Sequence, residues 1–272
     1  MFPSFLLALR EGLEAALLIG IVVGILQKIK RTEFTTTVWM GVASAVVVSV
    51  LSALLLNLLG TSFEGAAEKI FEGVTMFAAA AVLTWMIFWM QRQSRTLQNE
   101  LESDVRRAAQ TSSARALFAL SFFAVVREGI ELALFLTAAA ITSTSAQTLL
   151  GAALGLVVAA LLGWSLYAST SRLNLRKFFQ VTSILLIIFA AGLVAHGIHE
   201  FNEVGWIPAV VEHLWDVNSI VDENGPLGVI LKSLLGYNGN PSLSEVAGYL
   251  VYFAAIFFEL RRRRVMLPVS IP

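Results

Sequence analysis

Two short stretches hold the residues best placed to do chemistry. Leu7 to Leu26 reads LALREGLEAALLIGIVVGIL, and Phe122 to Ala140 reads FFAVVREGIELALFLTAAA. Each is an apolar run interrupted by one arginine and two glutamates. The first carries Arg10, Glu11 and Glu14, the second Arg127, Glu128 and Glu131. On a helix the arginine and the second glutamate lie one turn apart on a shared face, with the first glutamate at its edge. A charge at mid-bilayer costs about 2.5–3.5 kcal/mol on insertion scales, so charged side chains there are kept for a function or a structural ion pair. An ion pair uses one arginine and one glutamate per stretch and leaves a second glutamate over. Four carboxylates facing two guanidiniums favour a bound multivalent cation. Without one the site would hold a proton, since like charges raise one another's pKa. The arginines would then reduce repulsion and orient the carboxylates. Oxygen donors, with no histidine or sulfur expected at that depth, suit hard ions such as Mg, Ca, Mn and ferric iron. The residues alone stop at a hard metal cation, or protons.

The elements that position these motifs follow from composition. The chain has 272 residues, is 57% hydrophobic and only 14% charged, where soluble domains carry roughly a quarter charged residues. That balance predicts an all-α polytopic membrane protein. Lys plus Arg equals Asp plus Glu, so net charge says nothing about partners; no nucleic-acid partner is expected. With no cysteine, disulfides, thiolate metal sites and cysteine nucleophiles are excluded. No lysine or arginine precedes Arg10, so the N-terminus reads as a retained first helix rather than a cleavable signal.

About 20 apolar residues cross a bilayer. Seven stretches meet that length: 3–27, 37–59, 70–90, 116–140, 148–169, 178–199 and 246–260, the last one short. Lys28, Lys30 and Arg31 follow the first. Arg92, Arg95, Arg106, Arg107 and Arg115 follow the third. Arg172, Arg176 and Lys177 follow the fifth, and Arg261 to Arg264 the seventh. The remaining connections hold only Lys69 and Lys232. Positive charge marks the cytoplasmic side, which places the N-terminus outside and the C-terminus inside.

Each motif opens a block of three spans. Three is odd, so the second block enters from the opposite side. The expected plan is one membrane domain, 1–272, built from repeat 1 (3–90), a solvated cytoplasmic helical linker (91–115), an inverted repeat 2 (116–199), an extracytoplasmic loop (200–245) and an added span (246–260). Secondary transporters of this build bind substrate near the midplane where the repeats meet. Glu14 and Glu131 both fall roughly 14 Å below the outer surface at 1.5 Å per residue. Gly12, Ala16, Gly20 and Gly24, and likewise Gly129, Ala133 and Thr137, form small-residue stripes on roughly the opposite faces. Such stripes let helices approach closely in lipid, so both motif helices are expected at the centre.

On the outer side, Glu64, Glu68 and Glu72 are spaced by four and lead into the third span. They read as a candidate cation path towards the pore. The bland alternative is a solvated helix start, where acidic residues are favoured. The sixth span ends in HGIHEFNEVGW, with His196, His199, Glu200 and Glu203. His199, Glu200 and Glu203 join the candidate approach path. A peripheral metal site is conceivable here, and a plain polar interface is the favoured reading. The acidic loop that follows would concentrate cations, and WIPAVVEHLWDV and LGVILKSLLGY are apolar enough for short interfacial or re-entrant helices.

REGLEAALLIG and REGIELALFL resemble the paired Arg-Glu-x-x-Glu motifs of the oxidase-dependent iron transporter family, the high-affinity iron permeases of fungi and their bacterial counterparts. LTWMIFWM (83–90), RLNLRKFFQVTS (172–183), AAGL (190–193) and SLSEV (242–246) are similar to the bacterial branch, so the likeness spans nearly the whole chain. The resemblance implies an iron permease in a bacterial cytoplasmic membrane, with Glu11, Glu14, Glu128 and Glu131 as iron ligands and Arg10 and Arg127 orienting them. Iron is implied as the cargo, with no permanently bound cofactor. An extracytoplasmic iron oxidase or binding protein is implied as a partner.

Other classes fit less well. A retinal protein needs a lysine in its last span, and VAGYLVYFAAIFFEL has none. Four glutamates around two arginines argue against an anion carrier. No phosphate-binding loop is present and no nucleophile–base pair stands out, so an enzyme is not expected. A transporter of the same build for another divalent metal, manganese for instance, is the nearest competitor.

Overall fold

The computed structural model describes residues 1–168, 175–223 and 225–265. Arg172, Ser169 and the first residues of RLNLRKFFQVTS lie outside them. The described residues form eight α-helices and a 3-10 turn, Thr32–Phe34, with no strand. The helices are α1 (Phe2–Lys28), α2 (Thr35–Ser62), α3 (Ala66–Gln110), α4 (Ala114–Ile141), α5 (Ser145–Ala168), α6 (Leu175–Glu203), α7 (Pro226–Leu235) and α8 (Leu243–Val265). The expected all-α fold is what the chain adopts.

Among the described residues, five stretches are long and apolar enough to cross a membrane by the measure of length and composition: Thr32–Ser62, Ala66–Met90, Ser145–Ser165, Lys177–Glu203 and Leu243–Arg262. The last begins before Val246 and so has ample length. The motif helices α1 and α4 have 27 and 28 residues, roughly 40 Å each at 1.5 Å per residue. They miss that set because each carries three charged motif residues among its apolar ones.

The helices associate in pairs: α1 lies along α5, α2 along α4, and α3 along α6, while α1 and α4 touch each other and α3. Glycine brings the pairs together. A Cβ at Gly12 would fall 2.8 Å from Ala159 Cβ, and one at Gly163 would fall 2.7 Å from Ala16 Cβ. Gly41 on α2 faces Ser121 and the Phe118 carbonyl, and Gly129 on α4 faces Ser49. Missing side chains thus set the α1–α5 and α2–α4 seams. The expected stripe on α1 is used only in its first half, because Gly20 and Gly24 meet nothing within 4 Å.

The core has two lobes. One combines Leu7 and Ala8 of α1 with Met76 to Ile87 of α3, Leu132 to Ala139 of α4, and Leu186 to Leu193 of α6. The other combines Ile19 to Leu26 of α1 with Val38, Ala45, Val105, Ala109, Leu117, Val125 and Val126. Along α1 the order is first lobe, motif, second lobe. Along α4 it is second lobe, motif, first lobe. The two helices therefore run in opposite directions past each other, and both motifs lie between the lobes. The outer faces stay apolar and exposed, with Leu51, Leu58, Leu161, Trp164 and Phe258 among them. Contiguous apolar surface of that kind needs lipid or another apolar partner.

Three local expectations are corrected. The segment 91–110 continues α3 without a break, and Val105 and Ala109 are fully buried against the second lobe, so its second half, 100–110, is amphipathic rather than wholly solvated. Glu64 is off the helix: α2 ends at Ser62, Gly65 takes a left-handed φ of 60°, and α3 starts at Ala66. WIPAVVEHLWDV forms no helix, whereas LGVILKSLLGY supplies most of α7. That helix ends where Gly236 adopts φ 68° and packs backbone to backbone on Gly192 of α6. Gly192 lies eleven residues before the end of α6, roughly 16 Å down the helix at 1.5 Å per residue.

Candidate functional site

The antiparallel crossing of α1 and α4 brings the two motifs level. Arg10 is fully buried, and Glu11, Glu128 and Glu131 are all buried. Single carboxylate oxygens of Glu11, Glu128 and Glu131 all lie within 4.8 Å of one another. Both oxygens of Glu11, and Oε2 of Glu128 and of Glu131, are buried with no hydrogen-bond partner. Unsatisfied buried polar atoms are rare and costly, and three converging carboxylates add mutual repulsion. Three acids from two helices thus present free oxygens to one small volume. Hard cations favour such a donor set.

Glu14 stands apart from that trio. Arg10 Nε donates to its Oε1 at 3.0 Å, an i, i+4 ion pair that uses one of its two oxygens. The second motif makes the equivalent pair, Arg127 Nε to Glu131 Oε1 at 2.9 Å, with Glu128 Oε1 at 4.0 Å from the same nitrogen. Glu131 keeps Oε2 free for the cluster.

The two arginines are held by residues for which sequence reading assigned no role. Arg10 Nη2 donates to the thioether of Met90 at 3.3 Å, which places a sulfur at a depth where none was expected. Arg10 Nη1 is buried without a partner. The Arg127 guanidinium lies 4.4 Å from the Trp89 ring centroid and 5.7 Å from that of Trp85. These two indoles stack on each other, with centroids 6.0 Å apart. All three residues belong to LTWMIFWM on α3. The i, i+4 spacing of the two tryptophans was the available signal, because it puts both rings on one helical face.

The candidate approach residues separate into two groups. Glu64 is exposed in the α2–α3 loop, while Glu68 and Glu72 are partly buried on α3. Glu200 and Glu203 belong to the last turn of α6, where Lys69 Nζ bridges them at 3.1 and 3.2 Å. His199 joins Glu203 at 3.2 Å through Nε2 and Glu245 of α8 at 3.1 Å through Nδ1. Glu245 also accepts from Asn238 and Ser242. His196 turns Nδ1 towards the Gly192 carbonyl at 3.1 Å. These groups form a polar network tying α3, α6 and α8 together.

An all-helical fold with several apolar spans and a buried acidic centre between two antiparallel helices defines a multi-pass membrane protein. Residues 1–271 match the iron permease FTR1 family, and the chain belongs to that family. It is 36% identical over 267 residues to the ferrous iron permease EfeU of Shigella sonnei, covering 97% of each chain. It is 37% identical, with the same coverage, to that of Escherichia coli O6:K15:H31. Against that of Yersinia pestis the identity is 35%, covering 97% of this chain and 95% of the relative. No solved structure matches. As a member of a permease family the chain is a transporter and not an enzyme.

Proposed function

We propose that this chain carries iron into the cell across a bacterial cytoplasmic membrane and takes the ion between the Arg-Glu-x-x-Glu motifs of α1 and α4. The observation that carries this reading is the buried convergence of Glu11, Glu128 and Glu131, with oxygens that nothing in the described protein satisfies. Iron, rather than another hard cation, comes from the family and from the names of the relatives. Glu14 completes the acidic set from beside Arg10. Arg10 and Arg127 orient the carboxylates and reduce their repulsion when the ion leaves.

In this reading seven helices span the membrane, α1 to α6 and α8, with the N-terminus outside. The packing supports an inverted repeat of α1–α3 and α4–α6. Exchanging the two halves maps α1–α5 onto α4–α2 and maps α1–α4 and α3–α6 onto themselves, and these are among the main helix contacts. Rocking of one half against the other would expose the midplane site to each side in turn. Glu64, Glu68, Glu72, His199, Glu200 and Glu203 line the outer approach. An extracytoplasmic oxidase or binding protein would deliver iron to the acidic loop.

The test is radiolabelled iron uptake in cells lacking their own high-affinity systems, with membrane levels measured and Mn and Zn as competitors. Wild type should import iron; at normal membrane levels Glu131→Gln should lose uptake, and Glu14→Gln should fall to about a tenth of it. Normal uptake by both variants would make the motifs packing devices. Import of manganese in place of iron would keep the site and change the cargo.

A further inference from the structure

We propose that Trp89, backed by Trp85, is a positioning residue that holds the Arg127 guanidinium off the cation site and thereby sets the affinity for the ion. This rests on the ion-site reading above. Arg127 is 35% exposed and Arg10 fully enclosed, so of the two motif arginines only Arg127 has room to move. It uses Nε alone on Glu131 Oε1. Its guanidinium carbon lies over the Trp89 ring, with Trp85 extending the shelf. A guanidinium is a planar fork that favours gripping carboxylate oxygens in pairs. Glu128 Oε1 is already 4.0 Å from Nε, so a modest swing would let the fork close over Glu128 and Glu131. Those carboxylates carry two of the free oxygens of the trio.

The indole face attracts the cation without using a carboxylate. It therefore stabilises the arrangement in which Arg127 steadies Glu131 and leaves the other oxygens open. Without the aromatic face, the guanidinium becomes an internal competitor for the transported ion. The defect would appear in affinity, while the maximal rate would be kept once the ion is in excess.

The experiment measures iron uptake against iron concentration for wild type, Trp89→Leu, Trp89→Met and Trp89→Phe, corrected for membrane level. Trp164→Leu serves as a control, since Trp164 is exposed on α5, and Glu131→Gln runs in parallel. The Leu and Met variants should raise KM about fivefold with Vmax within about twofold, the size expected for losing one partly buried cation–π contact of about 1 kcal/mol. Trp89→Phe keeps an aromatic face and should restore most of the affinity, and Trp164→Leu should match wild type. Should the Leu variant not accumulate, the Met variant carries the test. Unchanged KM in Leu and Met variants would overturn the proposal, as would a Phe variant as defective as they are. If Glu131→Gln itself transports normally, the ion-site reading fails. If it is inactive while the Trp89 variants are normal, only the shelf is wrong.

Discussion

The same five-residue pattern appears twice and is held in two different ways. In α1, Arg10 is sealed from solvent, paired with Glu14, set against Met90 and left with one unpartnered nitrogen. In α4, Arg127 reaches a partly open position and lies on two stacked indoles. Glu11 is left wholly uncommitted, whereas Glu128 and Glu131 each keep one free oxygen. The cause is α3, which touches both motif helices. Met90 and Trp89 are neighbours in sequence and diverge by roughly 100° around an α-helix of 3.6 residues per turn. One helix thus presents a thioether to one arginine and an aromatic shelf to the other. A duplicated motif need not give duplicated roles once a third element breaks the symmetry.

The largest effect separates the arginines. Arg10→Met leaves Glu14 without its partner in a closed site, and breaking a buried pair costs about 3–5 kcal/mol. Arg127→Met removes a partly exposed charge and should cost about 1 kcal/mol, since solvent screens such pairs. Melting of detergent-purified variants, normalised to wild type, reads the difference. Equal losses would remove the asymmetry.

Next come the two glutamates of α1. Glu11 belongs to the oxygen trio, and Glu14 is paired with Arg10 through one oxygen. Glu11→Gln is expected to reduce iron uptake about a hundredfold, and Glu14→Gln about tenfold, through a displaced Arg10. If Glu14→Gln proved the more damaging, Glu14 would be the true ligand and the cluster would rearrange around the ion.

The packing seams give smaller effects. Gly163→Val drives a side chain into Ala16 on the α1–α5 seam, and overpacking of this kind costs about 1–3 kcal/mol. Gly24→Ala enters open space and should stabilise the chain by up to about 1 kcal/mol, because alanine is the better helix former. A marked loss of folded protein with Gly24→Ala would show that the second half of the α1 stripe has a partner after all, a second copy of the chain being the first to test by cross-linking.

Much of the site was legible because charge in an apolar run is expensive. Arg10, Glu11, Glu14, Arg127, Glu128 and Glu131 were all conspicuous on that ground alone. Glycine spacing anticipated the close seams at Gly12 and Gly129. The approach residues are less legible. Spacing by four promised a helical ladder from Glu64, and the left-handed Gly65 broke it. His199, Glu200 and Glu203 were visible as a polar cluster, but Lys69, which pairs with two of them, is distant in sequence.

The sequence by itself determined an all-helical chain with long apolar spans and two costly charged motifs, because hydropathy and intramembrane charge are local properties. Only the tertiary structure decided which carboxylates converge. That depends on how α1 and α4 are rotated about their own axes as they cross, and rotation is fixed by packing on α5 and α2. It also decided what each arginine rests on, because that depends on the register of α3 against both motif helices. Side chains one residue apart on α3 point in different directions, and no spacing within a single stretch reveals which helix each of them will meet.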